Sequence, residues 1–375
     1  MTLMATEVLP DERTLRSGRR QRVLEQMAAH DLDVLVLGRQ ANVRYVTGAP
    51  QLWVAGTRPF GPSCVLVRET GAIHLLSTWD EGVPEDIPHE NLYGISWNPM
   101  NTMSALQRID GAATARRVGT DALSPVFAQL LPTAFPNAEL VDGELAMRAA
   151  RRIKTAEEVA SLRESVAVAE SALAVAVSEL RPGVTEQALA GVLLEALAAG
   201  GVSTPSNQDV AWVTSREHPW RRANSDGRIQ GGDLVAFSAG VLAGGYVGEV
   251  GRTWPADKTP GAAALYKRWE SLWAKLISSC QPGFGATELL AAYEVAGEPA
   301  PPMPVARGLG MGFDPPVVSK HLPVTAAAER LEPGMVLAVT GYVWEQGVGA
   351  VFGREAVLIT ADGPEVLTSS PFWHA

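Results

Sequence analysis

Imidazole is the side chain whose ordinary titration falls near neutrality, and the chain holds six histidines. His218 lies in Arg216-Glu217-His218-Pro219-Trp220-Arg221-Arg222. An imidazole can serve as a general acid or base. His321 is the rival, and His30, His74, His89 and His374 are peripheral. No GxGxxG, phosphate loop, GxSxG elbow or Cys/His zinc spacing stands in a supporting context. Cys64 and Cys280 have no neighbouring base in sequence to make a thiolate nucleophile. Nucleotide-dependent and covalent-acyl mechanisms are therefore disfavoured.

These groups need elements to hold them. Residues 13–30 have helical spacing with basic residues on one face, and the apolar run Asp33-Val34-Leu35-Val36-Leu37 follows as a short buried strand. Cys64-Val65-Leu66-Val67 and Ile73-His74-Leu75-Leu76, separated by Arg68 to Ala72, read as a hairpin. Thr155 is placed to cap a helix, with Glu158 three residues on completing a capping box. Alanine-rich helical sequence then runs to Leu180, Arg181-Pro182-Gly183 breaks it, and a second helix spans Thr185 to Ala199. Gln281-Pro282-Gly283 and Glu332-Pro333-Gly334 are similar breaks.

At 375 residues and 46% hydrophobic, the chain can bury the cores of two domains. A net charge of −10 argues against a nucleic-acid partner, and the pairs Arg19-Arg20 and Arg151-Arg152 read as solvated helix faces. Two distant cysteines favour a reducing cytoplasm over a disulfide framework. No apolar run approaches the roughly 18 residues of a membrane span, and the first ten residues lack a signal pattern. A cytoplasmic protein that meets no membrane is the expectation.

Three groups of segments carry a family resemblance. Asn42-Val43-Arg44-Tyr45-Val46-Thr47-Gly48 resembles an NIRYLTG signature, and Arg151-Arg152-Ile153-Lys154-Thr155-Ala156-Glu157-Glu158 resembles RxIKSxEE. Gly232 to Gly240 (GDLVAFSAG), Gly245-Tyr246 and Gly251-Arg252-Thr253-Trp254-Pro255 resemble GDLVLIDAG, GY and SDITRTW. Arg307 to Met311, Leu337 to Gly341 and Arg354 to Leu358 resemble HGIGL, LTIEP and EDTVL. Together they resemble the creatinase and Xaa-Pro aminopeptidase family over nearly the whole chain. The resemblance implies an α/β (α+β) protein of two domains: a creatinase-like domain over 1–150, and over 151–375 a pita-bread domain with an internally duplicated, curved antiparallel sheet backed by helices.

The same resemblance places the family's five metal-ligand positions at Ser238, Glu249, Arg307, Thr340 and Arg354. A pair of divalent cations needs carboxylate and imidazole donors. Arginine stays protonated and has no lone pair to give, so no catalytic metal and no other cofactor is expected. Glu249 is then free to bridge Arg307 and Arg354, either as a structural network or with the two guanidiniums anchoring a substrate carboxylate or a developing oxyanion.

Other roles implied by the resemblance are less sharply placed. Creatinase uses a histidine as acid/base in the loop ahead of the GD strand; His218 fits that role if the loop carries extra residues, and Arg221 stands there if it does not. Glu355 falls one residue from a substrate-binding glutamate, although strand alternation turns it away from Arg354 unless a bulge intervenes. Asp314 stands near a segment that lines the substrate pocket, or is a turn residue before prolines. Trp212, Trp220, Tyr246, Tyr342 and Trp344 gather at the motif segments, as aromatic walls or as core. Arg58 and Phe60 are candidates to reach a neighbouring subunit's site in a homodimer. The leading expectation is a metal-independent, hydrolase-like enzyme acting on a C–N bond of a small anionic molecule. A metal-dependent Xaa-Pro aminopeptidase or prolidase, a non-hydrolytic enzyme of secondary metabolism and a catalytically dead ligand-binding scaffold are the alternatives.

Overall fold

The computed structural model describes residues 11–49, 61–77, 82–94, 96, 98–121, 123–202, 205–207, 210–223, 227–321 and 329–374. The chain divides into two compact units, Pro10–Arg151 and a second running from Arg152 to Ala375. Arg58 and Phe60 lie outside the described residues.

The first unit is built from α1 (Glu12–Ala29), β1 (Val34–Leu37), α2 (Gln40–Thr47), β2 (Cys64–Val67), β3 (Ile73–Ser77), β4 (Leu92–Gly94), α3 (Pro99–Leu106), β5 (Arg117–Thr120), α4 (Pro125–Ala134), β6 (Glu139–Asp142) and α5 (Glu144–Arg152). Its sheet runs β4-β3-β2-β1-β5-β6. The apolar run of β1 is buried along its length, and β2 and β3 form the expected hairpin, Cys64 opposite Leu75. Both cysteines are buried and unbonded to each other.

The basic pairs are not solvated faces. Arg19 is 2% exposed with its guanidinium over the Tyr45 ring, and Arg151 is 4% exposed against Asn42 and Glu144. Burying the planar, weakly hydrated arginine head is tolerable where it stacks or pairs, and a helix pattern alone does not reveal the partner that makes it so.

The second unit comprises α6 (Ala156–Ser178), α7 (Glu186–Ala199), β7 (Ala211–Val213), β8 (Leu234–Ala243), β9 (Tyr246–Pro255), α8 (Ala262–Ser278), α9 (Glu288–Ala296), β10 (Ala306–Leu309), β11 (Phe313–Val318), β12 (Val336–Glu345), β13 (Gly349–Thr360) and β14 (Gly363–Val366). Thr155 and Glu158 form the expected capping box at the start of α6. The sheet runs β11-β10-β12-β13-β9-β8-β7 and its pairings are antiparallel.

Its internal duplication is visible at the two Pro-Gly turns. Gly183 N–H donates to Ile229 O at 2.8 Å and Gly283 N–H to Leu331 O at 2.7 Å. Thr185 bridges to Arg228 as Gly285 does to Arg330, and each arginine donates back to its turn glycine's carbonyl. Both glycines have positive φ, where a side chain is strained.

Strand alternation divides the sheet into two faces. Val235, Phe237, Ala239, Val241 and Val250 pack with α6 and α7, and Leu337, Val339, Val343, Val351 and Val357 pack with α8 and α9. The intervening residues face the other way. They include Ser238, Glu249, Arg307, Thr340 and Arg354.

Candidate active site

Five strands bring the site together on that second face. Ser238 on β8 pairs with Gly251 on β9, and Gly240 pairs with Glu249. Gly251 in turn pairs with Arg354 on β13, Arg354 with Thr340 on β12, and Arg307 on β10 with Ala338 on β12. Glycine is required at 251: a Cβ there would lie 2.8 Å from Arg354 Cβ and 2.5 Å from the Phe352 ring. The close approach seats Arg354 beside Glu249.

A cavity of about 320 Å³ opens here, lined among others by Asn207, Glu249, Arg307, Thr340 and Arg354. Glu249 is 3% exposed and is held by both guanidiniums. Arg307 Nη2 donates to its Oε1, and Arg354 Nη1 donates to its Oε2 at 3.2 Å. Arg354 Nε also donates to Thr340 Oγ1 at 3.2 Å, and its guanidinium lies 5.3 Å from the centroid of the Phe352 ring. Burial holds Arg354 below the ordinary arginine value; Glu249 opposes that shift and Arg307 adds to it. Arginine's high starting value keeps the group cationic. Ser238 lies beneath the lining, its hydroxyl accepting from Asn207 Nδ2 at 2.7 Å.

The residues present do not suit a pair of divalent cations. Both Glu249 oxygens and the hydroxyls of Thr340 and Ser238 already accept from nitrogen donors, and two permanent cations occupy the space. Among the described residues, no three or more His, Cys, Asp or Glu side chains gather in a way that could hold a metal ion. The arrangement is suited instead to binding or stabilising negative charge, through guanidinium groups whose rigid fork matches a carboxylate.

Other candidates fall elsewhere. His218 is exposed, its backbone N–H on Ser215 Oγ, and does not line the cavity. Arg221 is likewise exposed, and its carbonyl accepts from Ser215 N–H. His321 is exposed beside Ser319.

Trp220, Tyr342 and Trp344 do meet, but in a packed cluster with Trp212 and Phe352 rather than on the cavity wall. Trp220 lies 4.1 Å from Tyr342 between ring centroids, and its backbone N–H donates to the Tyr342 hydroxyl at 3.0 Å. This cluster abuts the charged end of the face through Phe352. Tyr246 is core, its hydroxyl on Glu158.

Two acidic candidates require correction. Glu355 faces away from the cavity, because β12 and β13 pair without a register shift and no bulge turns it inward. It pairs with Arg252 at 3.2 Å and accepts from Thr368, and burial lifts its carboxyl to about 7 against the pull of Arg252. Asp314 is neither a turn residue nor part of the lining. It lies in β11, 1% exposed, paired with Lys154 at 3.2 Å.

Asn207, Ser206 and Phe352 went unremarked in the sequence. The signal for the first two lies in Gly240, where a Cβ would meet Ser206 Oγ and Asn207 Oδ1, both at 2.4 Å. Only a bare backbone lets that segment lie against β8.

Comparison with known proteins agrees with the architecture. Metallopeptidase family M24 matches residues 160–361, and the creatinase/prolidase N-terminal domain matches residues 19–153. The chain belongs to the M24 family, in its creatinase and Xaa-Pro aminopeptidase branch with the pita-bread fold. It is 22% identical to the creatinase of Bacillus sp. (strain B-0618) over 94% of this chain and 90% of that protein. The prolidase from Pyrococcus horikoshii OT3 superposes with a TM-score of 0.75 at 19% identity, over 94% of this chain and 99% of that one. The X-Pro aminopeptidase from Thermotoga maritima MSB8 gives 0.76 at 14% identity, over 93% and 99%. These family members support a hydrolase-like enzyme. Among the described residues, no helix is long and apolar enough to cross a membrane.

Proposed function

We propose that this chain is a metal-independent, creatinase-like hydrolase that cleaves a C–N bond in a small anionic molecule. The observation that carries the reading is the pair of guanidiniums, Arg307 and Arg354, lining the cavity at positions where the family resemblance expects metal ligands. They hold the substrate's negative group and stabilise oxyanion charge as water adds. His218 is the acid/base, delivering its proton to the departing nitrogen; being exposed, it works only when its loop folds over the cavity.

The test is release of amine or ammonia from small N-containing carboxylic acids in metal-free buffer. Activity should survive EDTA and fall sharply in His218→Asn, with metal content far below stoichiometric.

A metal-dependent Xaa-Pro dipeptidase or aminopeptidase is the second reading, favoured by the near full-length likeness to a prolidase and an X-Pro aminopeptidase. Stoichiometric manganese, cobalt or zinc, with activity lost on chelation, would establish it. A catalytically silent binding protein is favoured by the engagement of Glu249 with both arginines and by the outward position of His218. Ligand binding without turnover of any C–N substrate would establish that reading.

A further inference from the structure

We infer that the cavity selects a small monoanion, such as a carboxylate, over a divalent anion, and that Glu249 sets this valence. The inference rests on the reading that Arg307 and Arg354 bind the substrate's negative group. It adds which anion they bind and what excludes the rest.

Among the described lining residues, the charged groups are Glu249, Arg307 and Arg354. Two permanent cations therefore face one carboxylate. The excess is a single positive charge, held in a site where the three side chains are 4%, 14% and 19% exposed and water screens little.

One carboxylate ligand balances that excess. A divalent phosphate overshoots it and places its second charge against Glu249, which cannot withdraw because both of its oxygens are held. A cationic ligand meets the guanidiniums, and a neutral one leaves the excess uncompensated.

Each guanidinium carries five N–H groups in a rigid plane. Arg354 spends one nitrogen on Glu249 and another on Thr340, which leaves N–H groups for a ligand oxygen. The fork matches carboxylate and phosphate alike, so the discrimination comes from charge. The volume of about 320 Å³ suits a small organic acid.

Glu249 then acts as a specificity residue. Glu249→Gln preserves shape and an acceptor oxygen but raises the local charge by one, so the preference should move toward divalent anions.

Titration calorimetry on the full-length protein, with acetate and inorganic phosphate in buffer alkaline enough to make phosphate divalent, tests this directly. Wild type should bind acetate about tenfold or more tighter than phosphate, and Glu249→Gln should shrink that ratio by about tenfold or reverse it. Equal binding of the two anions by wild type, or an unchanged ratio in the folded variant, overturns the inference.

Should Glu249→Gln fail to fold, wild type titrated with phosphate across its second ionisation decides. Monovalent phosphate in mildly acid buffer should bind more tightly than divalent phosphate in mildly alkaline buffer. An affinity that rises as phosphate becomes divalent overturns the inference. Acetate binding without any C–N hydrolysis sinks the reaction proposed above and leaves the selectivity standing. Metal-free hydrolysis with no acetate preference sinks the selectivity alone.

Discussion

Removing the Arg354 side chain separates a built charge network from an incidental one. Glu249 is 3% exposed, and in Arg354→Ala it keeps only Arg307 as a partner. A hydrogen bond to a charged group is worth about 1.5–3 kcal/mol, and the neutral one to Thr340 about 0.5–1.5 kcal/mol. The contact with Phe352 adds about 0.5–2 kcal/mol. Against this, the variant relieves the repulsion between the two guanidiniums. Stripping a buried charge of its partner costs about 3–5 kcal/mol, and because Arg307 remains, the expected loss lies near the low end, about 3 kcal/mol. For a unit of this size that lowers the melting temperature by about 6–12 °C. The units can melt separately, so the calorimetric transition of the second unit is the one to follow. Arg354→Lys should melt closer to wild type yet bind acetate more weakly, since the charge stays and the fork is lost. If both variants melted within about 1 °C of wild type and bound acetate unchanged, Arg354 would not belong to a coupled site, and the placement of Glu249 between two arginines would be wrong.

Three further outcomes are expected. EDTA should leave the melting temperature unchanged; a drop of several degrees, restored by manganese, cobalt or zinc, would reveal a metal linked to folding. The raised carboxyl of Glu355 means that the folded protein holds this proton more tightly than the unfolded chain, so the contribution is present at acid pH and is lost as pH rises through about 7. Glu355→Gln should flatten the decline in melting temperature between about pH 5 and 7, worth roughly 2–3 kcal/mol; an identical slope in the two proteins would show that Glu355 titrates normally. Light scattering should give twice 39.8 kDa if the chain is the expected homodimer, and a clean monomer would remove the idea that Arg58 reaches a partner's pocket.

How far the sequence was readable depended on whether each signal was local. The capping box at Thr155 and Glu158 is complete within four residues, and the β2–β3 hairpin within fourteen, so pattern alone located both. The Pro-Gly turns were equally plain, and the repeated bonds from Gly183 and Gly283 show why two halves of unlike sequence adopt one plan. Burial of Arg19 and Arg151 was invisible because their partners, Tyr45 for one and Asn42 for the other, lie far off in sequence.

The site shows the same division. Strand alternation separates Arg354 from Glu355 by rule, and the unbroken register from Val336 to Glu345 puts one in the cavity and the other against Arg252. No such rule governs His218. Its place depends on a loop in which Trp220 adopts a positive φ of 66° and docks on Tyr342, a conformation that side chains rarely take and that sequence pattern does not announce. The loop is then tied by contacts of its own: Glu217 and His218 N–H donate to Ser215 Oγ, Trp344 Nε1 donates to Ser215 O, and Gly347 N–H donates to Arg216 O. The guanidinium pair is therefore set by strand register, which pattern can read, and the place of His218 by loop contacts, which it cannot.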